Sequence, residues 1–226
     1  MKIAMKTKSI LLLFLICGLT LTARCQTKTT KVDLVELLGQ NKINVFNREL
    51  TKSNDVNYRA VHLSAKGDDG IAWIEGLDFS NGVIEIDIKG KDALQQSFVG
   101  IAFHGVDEKI LDAIYFRPFN FQSSDSIRKI HAVQYVSHPD FPWQVLREKY
   151  NGKYEKGIAS APGATSWFHA KIVVEYPTIK VFVNNNSEAS LTVDQLNKRF
   201  SGKLGLWVGN NSDGDFANLV LKKTGK

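Results

Sequence analysis

The stretch "NGVIEIDIKG", residues 81–90, alternates apolar and charged side chains with a period of two. In an extended chain its three isoleucines point to one side, and Glu85 and Asp87 point to the other. This pattern is typical of a strand in a sheet with one buried face. Two carboxylates on one strand face are either a pair of catalytic acids or the solvated side of the sheet.

Similar short segments recur along the chain and are rich in Val, Ile, Phe and Tyr, the residues that favour strands. Turn signals rich in Gly, Asn and Asp separate them, and one short helix is predicted at 33–39. No helices alternate with the strands, so the sequence predicts an all-β sandwich or jelly roll of two antiparallel sheets. The predicted strands are 44–46, 60–65, 71–76, 83–89, 97–105, 112–118, 129–137, 168–175, 178–184, 202–209 and 216–223.

The N-terminal residues have the pattern of a secretory signal: lysines precede a short apolar run at residues 10–19, and small residues follow it. Cleavage after Cys25 would release a secreted or periplasmic protein, whereas acylation of Cys25 would anchor it to lipid. We therefore predict a signal peptide at 1–25, a leader with one short helix at 26–43, and a β-sandwich domain at 44–226.

The predicted cleavage changes the charge and the cysteine content of the chain. The formal charge of +6 includes four basic residues of the signal, and removing them from the 29 basic residues leaves 25 against 23 acidic ones, or +2. That balance does not predict binding to nucleic acid. Both cysteines, Cys17 and Cys25, also leave with the signal, so we expect neither a disulfide nor a thiol nucleophile.

The last third of the chain, 166–223, has a recognisable order. A strand led by Trp167 precedes a strand that ends at Asn184, and "GKLGLWVG", 202–209, precedes the closing "FANLVLKK". This order resembles the C-terminal portion of concanavalin A-like lectin/glucanase domains, most of all laminin-G-like and 3-keto-disaccharide-hydrolase-like secreted bacterial proteins. "FSNGVIEIDIKG" and "SFVGIAFHG" resemble early strands of that fold, so the resemblance covers roughly 60–223. It implies a concanavalin A-like jelly roll that holds saccharides on a concave sheet face and its rim loops.

The resemblance gives Glu85 and Asp87 a candidate catalytic role. Glucanases of this superfamily carry a Glu-x-Asp-x-(x)-Glu strand, and these two residues match its first two positions. Lys89 and Gly90 stand where the third acid belongs. Retaining hydrolysis needs two carboxyl groups about 5–5.5 Å apart, so the missing acid favours the solvated-face interpretation.

The stretch 115–155 combines aromatic and planar polar side chains. Aromatic faces stack on the C–H side of sugar rings, and Arg, Asn, Gln and His supply hydrogen bonds to hydroxyl groups. The other interpretation is that these aromatics cap the sandwich edge. The candidate substrate-binding residues are His104, Tyr115, Arg117, Asn120, Gln134, Tyr135, His138, Trp143 and Arg147.

Acid–base chemistry would use His131, or His104, together with Tyr115. With Arg117 neutralising a uronate carboxylate, such a pair would suit a polysaccharide lyase. The histidines lack zinc-ligand spacing, so we expect no metal site. The segment "NNSDGD", 210–215, is rich in oxygen ligands that could hold calcium, but it does not fit an EF-hand loop. We favour a tight turn before the last strand and expect no cofactor.

Three functions remain open: a glycoside hydrolase, a non-catalytic carbohydrate-binding module, and a cell-envelope interaction domain. Each of the first two binds an oligo- or polysaccharide in a sheet groove. The hydrolase hypothesis expects Glu85 or Asp87 to face the same groove as Tyr115 and Arg117. It also requires a second acid nearby, for which the candidates are Asp112, Asp140 and Glu155.

Overall fold

The computed structural model describes residues 28–223, so the predicted signal peptide lies outside the described residues. The described chain folds into two antiparallel sheets that pack face to face. One sheet has eight strands and the other has seven. Within residues 28–223, no helix is long and apolar enough to span a membrane.

The eight-stranded sheet contains the strand that includes Glu85 and Asp87. Its order is β13 (Leu191–Asp194), β12 (Thr178–Val183), β11 (Phe168–Glu175), β6 (Gly82–Lys89), β15 (Gly214–Lys223), β4 (Ala60–Leu63) and β3 (Leu50–Lys52). The first strand, β1 (Lys28–Val32), pairs with β15. The predicted leader, residues 26–43, therefore contributes a strand to the sandwich, followed by helix α1 (Leu34–Gly39).

The seven-stranded sheet contains most of the candidate binding residues. Its order is β10 (Glu155–Lys156), β9 (Val133–His138), β8 (Leu111–Phe116), β7 (Val99–Gly105), β14 (Gly202–Val208), β5 (Gly70–Phe79) and β2 (Ile43–Phe46). Three short helices lie along its β8–β9–β10 side: α2 (Pro118–Phe121), α3 (Ser126–Lys129) and α4 (Trp143–Lys149).

The core forms between the apolar sides of the alternating strands. Ile84, Ile86 and Ile88 of β6 are fully buried there, whereas the two carboxylates between them face outward. From the other sheet Phe116 packs against Phe168, with ring centroids 4.9 Å apart. Burial of these large side chains supplies the main stabilising term, about 1.5–3 kcal/mol for each.

The predicted strand at 129–137 is wrong in its first part. Asp125 caps the start of α3 by accepting hydrogen bonds from the amides of Ile127 and Arg128. Helix α3 includes Lys129, and strand β9 begins only at Val133. Within the predicted loop 138–166 the chain also forms helix α4. These helices place side chains over the outer face of the seven-stranded sheet.

A buried polar cluster holds the sandwich together near the end of β9. The Asp112 carboxylate is fully buried and accepts hydrogen bonds from Tyr135 Oη at 2.9 Å and Asn197 Nδ2 at 2.6 Å. Arg199 Nη2 and His104 Nδ1 also contact it, at 3.1 and 3.2 Å. The cluster therefore joins strands β7, β8 and β9 to the segment between β13 and β14.

We predict that Asp112→Ala lowers the free energy of unfolding by about 3 kcal/mol or more, because it leaves buried donors and the Arg199 charge without their shared acceptor. Urea unfolding followed by tryptophan fluorescence measures this loss. The control Asp140→Ala removes an exposed carboxylate and should change stability by less than about 0.5 kcal/mol. Equal effects of the two substitutions would contradict a structural role for the Asp112 cluster.

Candidate functional site

A groove of about 1160 Å³ crosses the outer face of the seven-stranded sheet. Ligand pockets commonly measure about 300–1,000 Å³, so this space suits an extended ligand. Its floor comes from β8 and β14, and its two sides come from different parts of the chain. The loops after β2, β4 and β14 form one side, and helices α2, α3 and α4 with the start of β9 form the other.

Strand register builds the floor from residues far apart in sequence. Trp207, Gly100, Tyr115 and Gln134 are successive partners across four neighbouring strands. Because Gly100 has no side chain, the rings of Trp207 and Tyr115 meet over it with centroids 5.0 Å apart. A Cβ at this glycine would clash with the backbone carbonyl of Ile114, so the position requires glycine.

Hydrogen bonds fix the polar edge of this floor. Arg117 Nη2 donates to Tyr115 Oη at 2.7 Å and also to Gln134 Oε1. The tyrosine hydroxyl in turn donates to Gln134 Oε1 at 2.7 Å. Burial raises the pKa of Tyr115 to about 12, so the hydroxyl stays protonated at neutral pH and cannot act as a base there.

Glu155 of β10 is the buried carboxylate that organises the helical side of the groove. Arg147 Nε donates to its Oε1 at 2.9 Å, and Arg147 Nη2 donates to its Oε2 at 2.7 Å. Arg117 Nη1 lies 3.4 Å and His131 Nδ1 2.8 Å from the same Oε2. Burial opposes ionisation, but the hydrogen bond from Arg147 and the charge of Arg117 outweigh it and lower the pKa of Glu155.

Trp143 presents the largest accessible aromatic face of the helical side. Its side chain is 42% exposed at the start of α4, and the guanidinium carbon of Arg147 lies 5.1 Å from its ring centroid. Leu146 of the same helix is buried and anchors α4 to the sheet. Glu155 thus holds Arg147, and Arg147 supports the tryptophan.

Arg48 organises the opposite side. Its buried guanidinium donates to the carbonyl oxygens of Gly67 at 3.3 Å and Gly209 at 3.0 Å, so it joins the loops after β2, β4 and β14. The half-buried Asp69 lines the groove beside it. Burial raises the pKa of Asp69 to about 6, although the charge of Arg48 opposes the shift.

Sequence reasoning missed Asp69 and its neighbour Asp68. The only signal was "GDDG", 67–70, which reads as a turn between strands. Their position in the groove depends on Arg48, which lies some twenty residues earlier and contacts this loop only in the folded chain. Asn210, from "NNSDGD", accepts a hydrogen bond from the amide of Asp68 at 2.9 Å and completes this side.

The structure brings most of the predicted site residues into one place. Gln134 lies fully buried just beneath the groove, bonded to Tyr115. Asn120 Nδ2 donates to the carbonyl of His131 at 3.0 Å and so positions α2 against the start of β9. Burial lowers the pKa of His138, which favours its neutral form at pH 7. The groove-lining members of the predicted set are Tyr115, Arg117, Asn120, His131, His138, Trp143 and Arg147.

Two predicted binding residues lie inside the sandwich instead. His104 is 1% exposed; its Nδ1 lies 3.2 Å from Asp112 and its Nε2 lies 3.0 Å from the carbonyl of Ser80. Tyr135 points into the core, where its hydroxyl donates to Asp112. Strand alternation sends Tyr135 to the face opposite Gln134, so both predictions fail on side-chain direction and burial.

The structure corrects the expectation that Glu85 or Asp87 shares a groove with Tyr115 and Arg117. Both carboxylates lie on the outer face of the eight-stranded sheet, on the far side of the core. Lys222 Nζ contacts Glu85 at 2.9 Å, and His169 Nδ1 contacts Asp87 at 2.7 Å. They form the solvated, ion-paired side of β6.

The structure also locates the three acids proposed as a second catalytic group, and none of them stands free in the groove. Asp112 is sealed in its cluster, Glu155 is held by two arginines, and Asp140 lies in an exposed loop after β9. Among residues 28–223, no group of three or more His, Cys, Asp or Glu side chains has the arrangement of a metal site. The geometry supports ligand recognition by hydrogen bonds, stacking and charge.

No protein-family model matches the chain, and no curated protein does either. Solved structures match its fold. The carbohydrate-binding module CBM66 from Bacillus subtilis superposes with a TM-score of 0.56 at 15% identity, over 80% of this chain and 95% of that one. A Bacillus subtilis protein of unknown function with a galectin-like fold gives 0.58 at 11% identity, over 89% and 100%.

A native glycosidic hydrolase gives a TM-score of 0.56 at 10% identity, over 90% of this chain and 99% of that one. At such identities these likenesses show the fold alone. They confirm the predicted fold class: this chain is a two-sheet antiparallel sandwich of the jelly-roll kind.

Proposed function

We propose that the protein binds an oligo- or polysaccharide in this groove without cleaving it, and that it does so outside the cytoplasm. The observation that carries the proposal is the exposed Trp143 face, held by the Arg147–Glu155 pair over a floor of aromatic and planar polar groups. An aromatic face stacks on the apolar side of a sugar ring. The nearby arginine, asparagine and histidine side chains match hydroxyl groups.

The polar groups at the centre of the groove already hydrogen-bond to other groups of the protein. Arg117 uses its two terminal nitrogens on Tyr115, Gln134, Glu155 and the carbonyl of His131. The lyase hypothesis used a histidine as base and Tyr115 as proton donor, but the Tyr115 hydroxyl already donates to Gln134 Oε1, and His104 is buried away from the groove. A preorganised and internally satisfied floor suits recognition, because little ordering is needed when the ligand binds.

A second candidate, glycoside hydrolysis, is favoured by one observation. Asp69 lines the groove with a pKa of about 6, which is the range expected of a general acid at neutral pH. Hydrolysis also needs a second carboxylate across the scissile bond, and the neighbouring carboxylate on the same rim is Asp68. Residues adjacent in one turn are poorly placed to flank a bond from two sides.

Replacing Trp143 by alanine should weaken saccharide binding at least about tenfold, because the stacking face is lost. Titration calorimetry against the tightest ligand from a glycan panel measures the change. Tyr176→Ala is the matched control, since Tyr176 is 39% exposed, close to the 42% of Trp143, and lies outside the groove. Equal binding by the Trp143→Ala variant and the wild type would contradict the proposed site.

The purified protein should release no reducing ends and no unsaturated uronate from neutral and uronate-containing glycans. The reason is that Asp68 adjoins Asp69 in one turn instead of facing it across a bond, while the other groove carboxylate, Glu155, is held by two arginines. Reducing-end and ultraviolet assays read the two kinds of product together. Release of reducing ends by the wild type that disappears in Asp69→Asn would replace the binding proposal with hydrolysis.

Asp69→Asn should stabilise the fold by about 3 kcal/mol at pH 7 and have little effect near pH 4. Because the folded pKa is raised from 3.8 to about 6, the folded state holds its proton longer than the unfolded state. Stability of the wild type therefore falls as pH rises between those values, and the neutral amide avoids that loss.

Urea unfolding at pH 4, 5, 6 and 7 tests this dependence. Asp140→Asn, in an exposed loop, controls for the loss of one negative charge. A difference between Asp69→Asn and the wild type that does not grow with pH would show that burial of the Asp69 carboxylate is not what destabilises it.

A further inference from the structure

The two sides of the groove carry opposite charges. Three arginines, Arg117, Arg128 and Arg147, converge on the helical side from the end of β8, from α3 and from α4. The loop side carries the carboxylates Asp68 and Asp69 beside the guanidinium of Arg48, which leaves one net negative charge when both acids are ionised. Glu108 and Lys109, of opposite charge, also line the groove. A ligand that spans the groove therefore meets a positive potential at one side and a negative potential at the other.

The carboxylates of the protein do not neutralise all the positive charge of the helical side. Glu155 is the carboxylate that contacts these arginines among the described residues, and it neutralises one of three guanidinium charges. Arg128 donates to two neutral acceptors, Asn120 Oδ1 at 3.3 Å and the carbonyl of Phe119 at 3.1 Å. The three guanidinium groups and this one carboxylate together carry a net charge of +2.

The two outer arginines keep donors available. Arg147 binds Glu155 through Nε and Nη2, so its Nη1 takes no part in that pair. Arg128 likewise uses Nε and Nη2 in its contacts. Both side chains are only half-buried, so the remaining donors can reach a ligand. Guanidinium groups recognise planar or tetrahedral oxyanions through directed hydrogen bonds.

The outer face of the eight-stranded sheet shows the contrasting arrangement. There Lys222 faces Glu85, His169 faces Asp87, and Lys89 faces Asp55, with each cation within 3.0 Å of a carboxylate. These three cations are each matched to an acid of the protein itself, unlike Arg128 in the groove.

We propose that the groove selects acidic saccharides and that Arg128 and Arg147 receive the anionic group, a uronate carboxylate or a sulfate ester. This inference rests on the proposed function and adds the class of ligand. The carboxylates of Asp68 and Asp69 repel an anionic group from the loop side, so they fix the direction in which the chain lies. Trp143, stacked on Arg147, then faces the sugar ring that carries the anionic group.

Binding of matched oligosaccharides tests the proposal. Tetragalacturonate is compared with its carboxyl-reduced neutral form, and a sulfated carrageenan tetrasaccharide with its desulfated form, by titration calorimetry on the wild-type protein. We expect the acidic member of at least one pair to bind about tenfold tighter or more at ~0.02 M salt. The preference should shrink at ~0.5 M salt because exposed charges are screened. The pair that shows the preference identifies the anionic group.

Arg128→Gln should reduce that preference at least about threefold, because it removes one of the two uncompensated charges. Lys171→Gln is the control, since it removes one positive charge from the outer face of the other sheet. An undiminished preference in Arg128→Gln, or an equal loss in both variants, would overturn the assignment of the anion to this side of the groove.

Failure of this inference and failure of the proposed function give different results. Equal binding of acidic and neutral members would overturn the acidic selectivity and leave saccharide binding standing. Binding of neither member, across both pairs and the wider glycan panel, would overturn the proposed function and the selectivity with it.

Discussion

The groove depends on one buried carboxylate. Glu155 sits on a two-residue edge strand, yet it contacts Arg147 from α4, Arg117 from the end of β8 and His131 from the start of β9. Without it, the guanidinium groups of Arg117 and Arg147 would lose their shared carboxylate, and the buried Arg117 would be left with neutral partners only. The contact with Arg117 reaches the floor through Tyr115, so the carboxylate links the outer wall to the sheet. Its lowered pKa keeps it charged, and the wall ordered, across the neutral range.

The two outer faces of the sandwich use their polar residues differently. On the eight-stranded sheet the carboxylates of β6 each have a cationic partner, and that face is a solvated, balanced surface. On the seven-stranded sheet three arginines line one side of the groove, and Asp68 and Asp69 with the guanidinium of Arg48 form the other, about an aromatic floor. Paired charges interact mainly with each other, whereas charged groups without a close partner can interact with a ligand. The fold has two outer faces, and the side chains on each face, which the fold does not dictate, determine which face can bind a ligand.

Much of the fold follows from the sequence because a period of two is a strong signal. The alternation at 81–90 placed the isoleucines inward and Glu85 and Asp87 outward, as observed. The sequence predicts the groove on strands 97–105, 112–118 and 129–137 with the loop around Trp143, but it could not say which face of these strands lines it, because 129–137 has no clean polar side. The sequence also could not identify Asp69 as a groove residue, because its position and its raised pKa depend on burial beside Arg48, which is distant in sequence. His104 was misplaced because its backbone adopts a left-handed φ of +50° and its ring turns to Asp112.

The central claim is that ligand binds on the outer face of the seven-stranded sheet. Indole N–H signals in a nitrogen-15 correlation spectrum test it directly, because the chain's tryptophans lie on different faces. Trp143 and Trp207 line the groove, whereas Trp167 donates to Asp55 on the eight-stranded sheet at 2.8 Å. Titration with a saccharide ligand should shift the Trp143 and Trp207 signals and leave that of Trp167 in place. A shift confined to Trp167 would put the ligand on the opposite face and contradict the account.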